Sequence, residues 1–186
     1  MYTIKNNIKD ELIINKSKFI TYIYKVNTLD EVNDILSNLK KEYKDATHIC
    51  YSYIIDNIKR FNDDGEPGGT AGMPILNVLE SNGLNKVFAA VIRYFGGIKL
   101  GAGGLVRAYT NSVAGALKLT EITELKKEYK IMIEFDYSNV NKINYILQDY
   151  KITYKEFDKN IKYEFIYYEN EYPSEIDNYI IKKESL

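Results

Sequence analysis

Short apolar runs interrupted by polar residues mark the first elements of the chain. Residues 11–26, ELIINKSKFITYIYKV, predict two strands around a turn near Lys16. Residues 28–43 carry apolar side chains three and four positions apart, which is the spacing of one helix face. Thr28 and Glu31 are placed to form a capping box at the start of that helix. The apolar stripe of the helix consists of Val32, Ile35, Leu36, Leu39 and Tyr43.

The middle of the chain continues the alternation of strands and helices. A strand at 47–55 is followed by a long polar loop at 56–72 and a second helix at 73–84. Residues 86–95, KVFAAVIRYF, are almost uninterruptedly apolar, as is typical of a central strand buried on both faces. After a glycine-rich loop, a third helix is predicted over about 104–119. This order predicts an α+β protein with a two-layer α/β N-terminal domain.

A charged, glycine-free stretch at 120–130 is the predicted junction to a second domain. We therefore expect domains at 1–122 and 123–186. The second domain has the order β-α-β-β-α, with its first helix at 139–150, which predicts a small ferredoxin-like fold. The pattern leaves open whether this domain is truncated and lacks its last strand.

Three aromatic residues of the second domain, Tyr163, Phe165 and Tyr167, lie on one face of a predicted strand. RNA-binding sheets stack bases on such rings. However, a matching apolar stripe runs through the first strand of the domain and no Lys/Arg-Gly-Phe signature is present, so we favour a core role. That stripe consists of Ile131, Ile133 and Phe135.

Charge and cysteine content exclude several classes of protein. The formal net charge of the 186 residues is −1, which argues against a globally basic nucleic-acid binder without excluding a local basic surface. A single cysteine, Cys50, excludes an internal disulfide and fits a reducing compartment. No long apolar run or signal peptide is evident, so we expect a cytoplasmic protein without a membrane partner.

Glycine and arginine point to a functional segment in the middle of the chain. All 11 glycines lie between Gly65 and Gly115, and clustering them requires positive φ angles or close approach of the backbone to another group. Two of the three arginines, Arg93 and Arg107, flank the second glycine loop in a chain that otherwise favours lysine. Arginine offers a planar fork that lysine lacks.

The second glycine loop predicts an anion-binding surface. Backbone amides at a helix N-terminus attract anions, and residues 81–120 contain five cations but no carboxylate. Arg107, Asn111 and Lys118 fall on one face of the predicted helix. The alternative is a tight strand–helix joint whose glycines only permit packing. The candidate nucleic-acid or phosphate ligands are Arg93, Gly96, Gly97, Lys99, Gly101, Gly103, Gly104, Arg107, Asn111 and Lys118.

The first glycine loop, DDGEPGGTAG, carries carboxylates at Asp63, Asp64 and Glu66. They could offer oxygen ligands to Mg²⁺, but two adjacent carboxylates in a loop are more often solvated, so we predict no metal and no cofactor. Thr70 is placed to cap the second helix.

His48 and Cys50 lie on one face of the strand at 47–55, together with Ser52. Residues two apart on a strand are separated by roughly 6.6 Å along the backbone, which is too far for a Cys–His pair in hydrogen-bond contact. We therefore expect a buried thiol and a hydrogen-bonded histidine, and no catalytic residue.

Two motifs taken together resemble the signature of the IMPACT family, in its bacterial YigZ-like branch. They are DDGEPGGTAGMPIL and VIRYFGGIKLGAGGLVRAY, and THICYSY resembles a further motif of the family. The resemblance is strongest from about Ala46 to Tyr109. Its first-loop motif positions are Asp64, Gly65, Glu66, Pro67, Gly69, Thr70 and Gly72; those of the second motif are Arg93, Tyr94, Phe95, Gly96, Gly97, Lys99, Gly101, Gly103, Gly104 and Arg107.

The resemblance implies an N-terminal fold like domain IV of elongation factor G, followed by a ferredoxin-like domain. It also implies translation regulation through RNA, ribosome or regulator-protein binding, without an established enzyme activity. The resulting hypothesis is a non-enzymatic nucleic-acid or ribosome-binding protein. Two alternatives are a phosphometabolite or nucleotide-binding enzyme resembling GHMP kinases and a pure protein-interaction module. The absence of a clear catalytic Asp or Lys partner weighs against the enzyme.

Overall fold

The chain divides into two compact units, Met1–Leu125 and Lys126–Leu186, and the computed structural model describes residues 1–185. The sequence placed the boundary after residue 122. The structure divides the chain after Leu125 because strand β7 (Ile122–Glu124) pairs antiparallel with β1 (Tyr2–Ile4). Within the described residues, no helix is long and apolar enough to cross a membrane.

The first unit contains a five-stranded antiparallel sheet with the order β2-β3-β6-β4-β5. The two-residue turn at Asn15 and Lys16 has positive φ at both positions, as a tight hairpin requires. The central strand β6 is buried along nearly its whole length, which confirms the interpretation of its apolar run. The strands are β2 (Ile8–Ile14), β3 (Ser17–Lys25), β4 (His48–Ile55), β5 (Ile58–Asn62) and β6 (Val87–Tyr94).

Helices cover both faces of this sheet. Helix α1 (Leu29–Glu42) packs on one face, and Thr28 accepts the N–H of Glu31 as the sequence predicted. Helices α2 (Gly72–Ser81) and α3 (Gly101–Leu117) pack on the other face. The sequence predicted one layer of helices on the sheet, but the structure has helices on both faces and therefore three layers. The third layer is α1, whose apolar stripe covers the face of the sheet that α2 and α3 leave open.

Strand β5 was predicted as part of a polar loop, and that prediction is wrong. All of its residues are exposed, so no alternation of buried and exposed positions marks it in the sequence. A tight turn in which Asp56 has a φ of 52° returns the chain from β4 into this edge strand.

Gly96 lies where two backbone segments meet after β6. A Cβ added there would lie 2.0 Å from the carbonyl carbon of Lys16 and 2.3 Å from the nitrogen of Ser17. The Gly96 N–H also donates to the Ser17 hydroxyl at 3.1 Å. The packing interpretation of this glycine therefore holds, because no side chain fits between the loop and the β2–β3 turn.

The second unit is a four-stranded antiparallel sheet with the order β11-β8-β10-β9. This is the ferredoxin-like order, and β11 (Ile180–Ser185) is the last strand whose presence the sequence left open. Tyr163, Phe165 and Tyr167 are buried beside the apolar stripe of the neighbouring strand in the same sheet, which confirms their core role. The other elements are β8 (Glu128–Phe135), α4 (Val140–Ile146), β9 (Lys151–Phe157), β10 (Ile161–Tyr168) and 3₁₀ turns at Tyr137–Asn139, Glu169–Glu171 and Ser174–Tyr179.

Replacing Gly96 by alanine is expected to lower the free energy of unfolding by about 3 kcal/mol, because the new methyl group displaces backbone atoms. Gly68→Ala is the matched control, since a Cβ at Gly68 meets no atom within 4 Å. It should change stability by less than about 0.5 kcal/mol. Urea unfolding of both variants tests the close approach, and equal stability would contradict it.

Candidate functional site

The carboxylate of Glu66 lies at the centre of a buried polar cluster. Its Oε1 accepts a hydrogen bond from Arg93 Nη1 at 2.6 Å and another from the Tyr109 hydroxyl at 2.7 Å. Glu66 is 7% exposed and Arg93 5% exposed. The first glycine loop contributes the carboxylate, β6 the guanidinium and α3 the phenol, so this cluster joins three distant parts of the chain.

Arg93 differs from the free cation that the sequence predicted. Its charge is neutralised by Glu66, and its guanidinium carbon lies 5.5 Å from the ring centre of Phe19 and 5.6 Å from that of Phe95. Arg93 was predicted as a phosphate ligand, whereas the structure pairs its guanidinium with a carboxylate of the same unit. A buried cation needs a carboxylate partner, and the acidic motif loop provides one.

The acidic residues of the first loop hold its backbone and the start of α2. Asp63 Oδ1 accepts the N–H groups of Ala71 and Gly72, and its Oδ2 accepts that of Gly69. Asp63 therefore supplies the cap that the sequence assigned to Thr70, whose hydroxyl donates to the Pro67 carbonyl instead.

Asp64 also serves the fold, since its Oδ2 accepts the N–H of Ile49 at 2.6 Å. In residues 1–185, no group of three or more His, Cys, Asp or Glu side chains is placed to hold a metal ion. Both aspartates accept hydrogen bonds from backbone N–H groups. This explains why the two carboxylates lie in one loop without forming a metal site.

The remaining motif-loop residues lie around the cluster in different ways. Gly65 and Gly69 have positive φ, and Pro67 lies at the cavity described below. A Cβ at Gly72 would come within 2.9 Å of the Asn62 backbone, so α2 begins in direct contact with β5. Gly65 and Gly69 are thus needed for their positive φ angles, whereas Gly72 is needed because a side chain would clash with the neighbouring strand.

His48 and Cys50 contact different partners, as the strand geometry predicted. His48 Nδ1 lies 2.7 Å from the Asp64 carbonyl oxygen, while its Nε2 lies 3.9 Å from Glu66 Oε2. The Cys50 sulfur lies 3.0 Å from the Asp63 carbonyl oxygen and 3.3 Å from the Tyr109 hydroxyl. Burial, above all, raises the pKa of the Cys50 thiol to about 12, so the sulfur is a protonated core group.

A cavity of about 450 Å³ opens beside this cluster, between the two glycine motifs. Its polar wall includes His48, Glu66 and Arg93, and its mouth includes Lys99 and the first residues of α3. The other lining residues are Thr47, Pro67, Phe95, Leu100 and Leu105. The cavity is large enough for a small ligand and combines apolar walls with a few convergent polar groups.

The exposed cations lie outside the buried cluster. Lys99, Arg107 and Lys118 are exposed, together with Asn111. A Cβ at Gly103 would lie 3.7 Å from Arg107 Nη1, so the guanidinium of Arg107 extends back over the first turn of α3. The structure thus brings Lys99 and Arg107 to the start of α3.

Helix α3 begins earlier than predicted, so Gly101, Gly103 and Gly104 are helical and not part of the loop. Gly97 and Gly101 have positive φ. The Asp10 carboxylate comes within 3.6 Å of a Cβ built at Gly115, at the far end of the helix. The start of α3 thus carries two exposed cations, Lys99 and Arg107, whereas a carboxylate lies near its far end.

Sequence reasoning missed Tyr109 and Asp63 as organising residues. Leu105, Tyr109, Val113 and Leu117 recur every four residues and predict an apolar face of the third helix. Tyr109 is the only one of the four with a polar side-chain atom, and a buried hydroxyl requires a hydrogen-bond partner. Asp63 precedes α2 by nine positions along the loop, outside the range of an N-cap motif. Spacing along the chain could not indicate either contact.

Replacing Arg93 by glutamine is expected to lower the free energy of unfolding by about 3–5 kcal/mol, because Glu66 would remain buried without its counter-charge. Arg107→Gln is the matched control: it makes the same chemical change at an exposed site and should alter stability by less than about 0.5 kcal/mol. Urea unfolding compares them. A stable Arg93→Gln protein would refute the structural role.

The Cys50→Ser variant should reveal the raised thiol pKa through the pH dependence of stability. Above the ordinary thiol pKa of 9.0 the unfolded chain loses this proton, whereas the folded chain retains it up to about 12. The thiol's contribution to stability is therefore present below pH 9 and decreases as pH rises towards 12. The wild type should lose stability relative to Cys50→Ser between about pH 8 and about pH 10 in urea unfolding. A constant difference between the two proteins would contradict this.

Comparison with known proteins agrees with the motifs. Residues 15–117 match the model of the Impact N-terminal domain. The chain is 40% identical over 168 residues to the IMPACT family member YvyE of Bacillus subtilis, covering 88% of this chain and 77% of that protein. It is 37% identical over 131 residues to YigZ of Escherichia coli, covering 66% and 63%. A crystal structure of a hypothetical protein superposes with a TM-score of 0.69 at 28% identity, over 89% of this chain and 84% of the other. The chain therefore belongs to the IMPACT family and is a YigZ-like member of it.

Proposed function

We propose that the protein binds RNA, without catalysing a reaction, through the exposed side of α3 and the loop before it. We call this region the α3 surface; it consists of Gly97, Lys99, Gly101, Gly103, Arg107, Asn111 and Lys118. The observation that carries the proposal is the pair of exposed cations, Lys99 and Arg107, at the start of a helix without a side-chain cap.

The charges of the α3 surface are available to a ligand. Among residues 1–185, no carboxylate lies within ion-pair distance of Lys99, Arg107 or Lys118. Residues 81–120 contribute no acidic side chain of their own. Phosphate groups supply most of the affinity in sequence-independent nucleic-acid binding, and they require such unneutralised cations.

The start of α3 adds backbone donors to these cations. Its N-cap, Leu100, makes no side-chain cap bond, so the first N–H groups of the helix have no side-chain acceptor there. The helix dipole further favours an anion at this end. Gly103 lacks a side chain, which leaves room for Arg107 to reach back towards the same point.

Arg93, Gly96 and Gly104 support the α3 surface without forming its exposed part. Arg93 is a positioning residue that fixes the motif loop through Glu66, and Gly96 sets the path of the chain out of β6. The family resemblance extends the proposal to translation regulation, with the ribosome or a regulator protein as the partner. Ribosomal RNA presents dense phosphate, which suits an exposed cationic helix start.

Replacing Arg107 by glutamine should weaken binding to a single-stranded RNA oligonucleotide about equally for all sequences, because phosphate contacts carry no base information. The slope of log affinity against log salt concentration should flatten by about 0.7 for each phosphate that the variant no longer neutralises. Fluorescence anisotropy at several salt concentrations measures both quantities.

Two further variants test whether the effect depends on the charge and on its position. Arg107→Lys should restore part of the affinity, since lysine keeps the charge but not the bidentate fork. Lys40→Gln, an exposed site on α1 across the sheet, is the matched control and should leave affinity and slope unchanged. Unchanged affinity and slope in folded Arg107→Gln would overturn the proposal and favour a protein-interaction role.

A further inference from the structure

His48 Nε2 and Glu66 Oε2 face each other in the wall of the cavity. The Asp64 carbonyl can only accept, so His48 Nδ1 carries the proton of this 2.7 Å bond. In the neutral ring, Nε2 then presents a lone pair. It lies 3.9 Å from Glu66 Oε2, and in the described part of the chain that oxygen accepts no hydrogen bond from the protein.

A group that bridges these acceptors must carry at least two polar hydrogens. The exocyclic amino groups of cytosine, adenine and guanine have two N–H bonds, whereas uracil has a carbonyl at the equivalent position and a single ring N–H. A carbonyl placed between a carboxylate and an imidazole lone pair would leave all three acceptors unsatisfied, which is costly in a buried site.

The rest of the cavity suits a flat ring with a phosphate attached. Phe95 lines it and is 46% exposed, so its ring is available for stacking. Pro67, Leu100 and Leu105 supply apolar walls. Lys99 and the start of α3 lie at the mouth, where a phosphate would meet a cation and free backbone amides.

We propose that this cavity binds a single unstacked nucleotide whose base carries an exocyclic amino group. The amino group bridges Glu66 Oε2 and His48 Nε2, the base stacks on Phe95, and the phosphate lies at Lys99 and the start of α3. The site discriminates against uracil. If the nucleotide belongs to an RNA chain, this inference rests on the proposed RNA-binding function. If it is a free nucleotide, the inference requires only the cavity.

Cytidine and uridine 5′-monophosphates provide a matched pair of probes, since they differ in the amino or carbonyl group of the base. Titration calorimetry should give about tenfold tighter binding for the cytidine compound. Equal affinities, or no binding of either compound at millimolar concentration, would overturn the proposal.

Variants of two lining residues separate recognition of the base edge from stacking. His48→Phe keeps a ring but removes the acceptor, so it should bring the affinity ratio close to one by weakening cytidine monophosphate alone. Phe95→Leu should weaken both compounds by the same factor, and Phe95→Tyr should restore them. Phe95 is exposed, so its variants remain informative if His48→Phe fails to fold. Retention of the full cytidine preference in folded His48→Phe would refute the bridging geometry.

A parallel titration with oligocytidine and oligouridine separates this inference from the proposed function. Binding of cytidine monophosphate without RNA binding would retain the cavity site and reject RNA as its ligand. RNA binding with equal affinity for both oligonucleotides, and no monophosphate binding, would reject the cavity site and retain the α3 surface. Preference for oligocytidine that His48→Phe abolishes would support both.

Discussion

The buried bond between Arg93 and Glu66 is the interaction on which the arrangement of the first unit depends. Two largely buried charges are tolerated only when each satisfies the other, and the Tyr109 hydroxyl supplies a further donor to the same oxygen. The three side chains come from a loop, a strand and a helix, and separating Arg93 from Glu66 would leave a buried charge uncompensated. The cluster therefore fixes the distance between the two glycine motifs, and with it the cavity between them.

The positions of several glycines follow from the buried Arg93–Glu66 bond. Once Glu66 is fixed beside β6, the loop that carries it has to turn sharply, and Gly65 and Gly69 provide the positive φ angles. On the other side of the cavity, Gly96 lets the chain leave β6 in direct contact with the β2–β3 turn. Glycine was thus a correct indicator of where backbones approach closely. It did not by itself distinguish packing from ligand binding, because both require the same absence of a side chain.

Periodicity predicted the parts of the fold in which burial repeats along the chain. The stripe of α1 and the apolar run of β6 were identified because their neighbours in the structure impose a regular pattern. Strand β5 was missed because an exposed edge strand has no such pattern. In the site, Arg93 and Glu66 were both singled out, yet their partnership spans 27 positions and no local rule connects them. The sequence could identify the charged groups, while only the tertiary fold decides which charges neutralise each other.

The two arginines of one motif have different roles because the tertiary fold gives a carboxylate partner to one of them and not to the other. Arg93 needs the guanidinium because the group pairs with Glu66 while lying against the Phe19 and Phe95 rings, a combination that a lysine ammonium cannot reproduce. Arg107 has no carboxylate partner in the described chain and extends over Gly103 to the start of α3. The paired Arg93 lies against the Phe95 ring in the cavity wall, and the unpaired Arg107 keeps a positive charge at the start of α3. A ligand that joins a flat ring to a phosphate would use both features, the first through stacking and the second through charge.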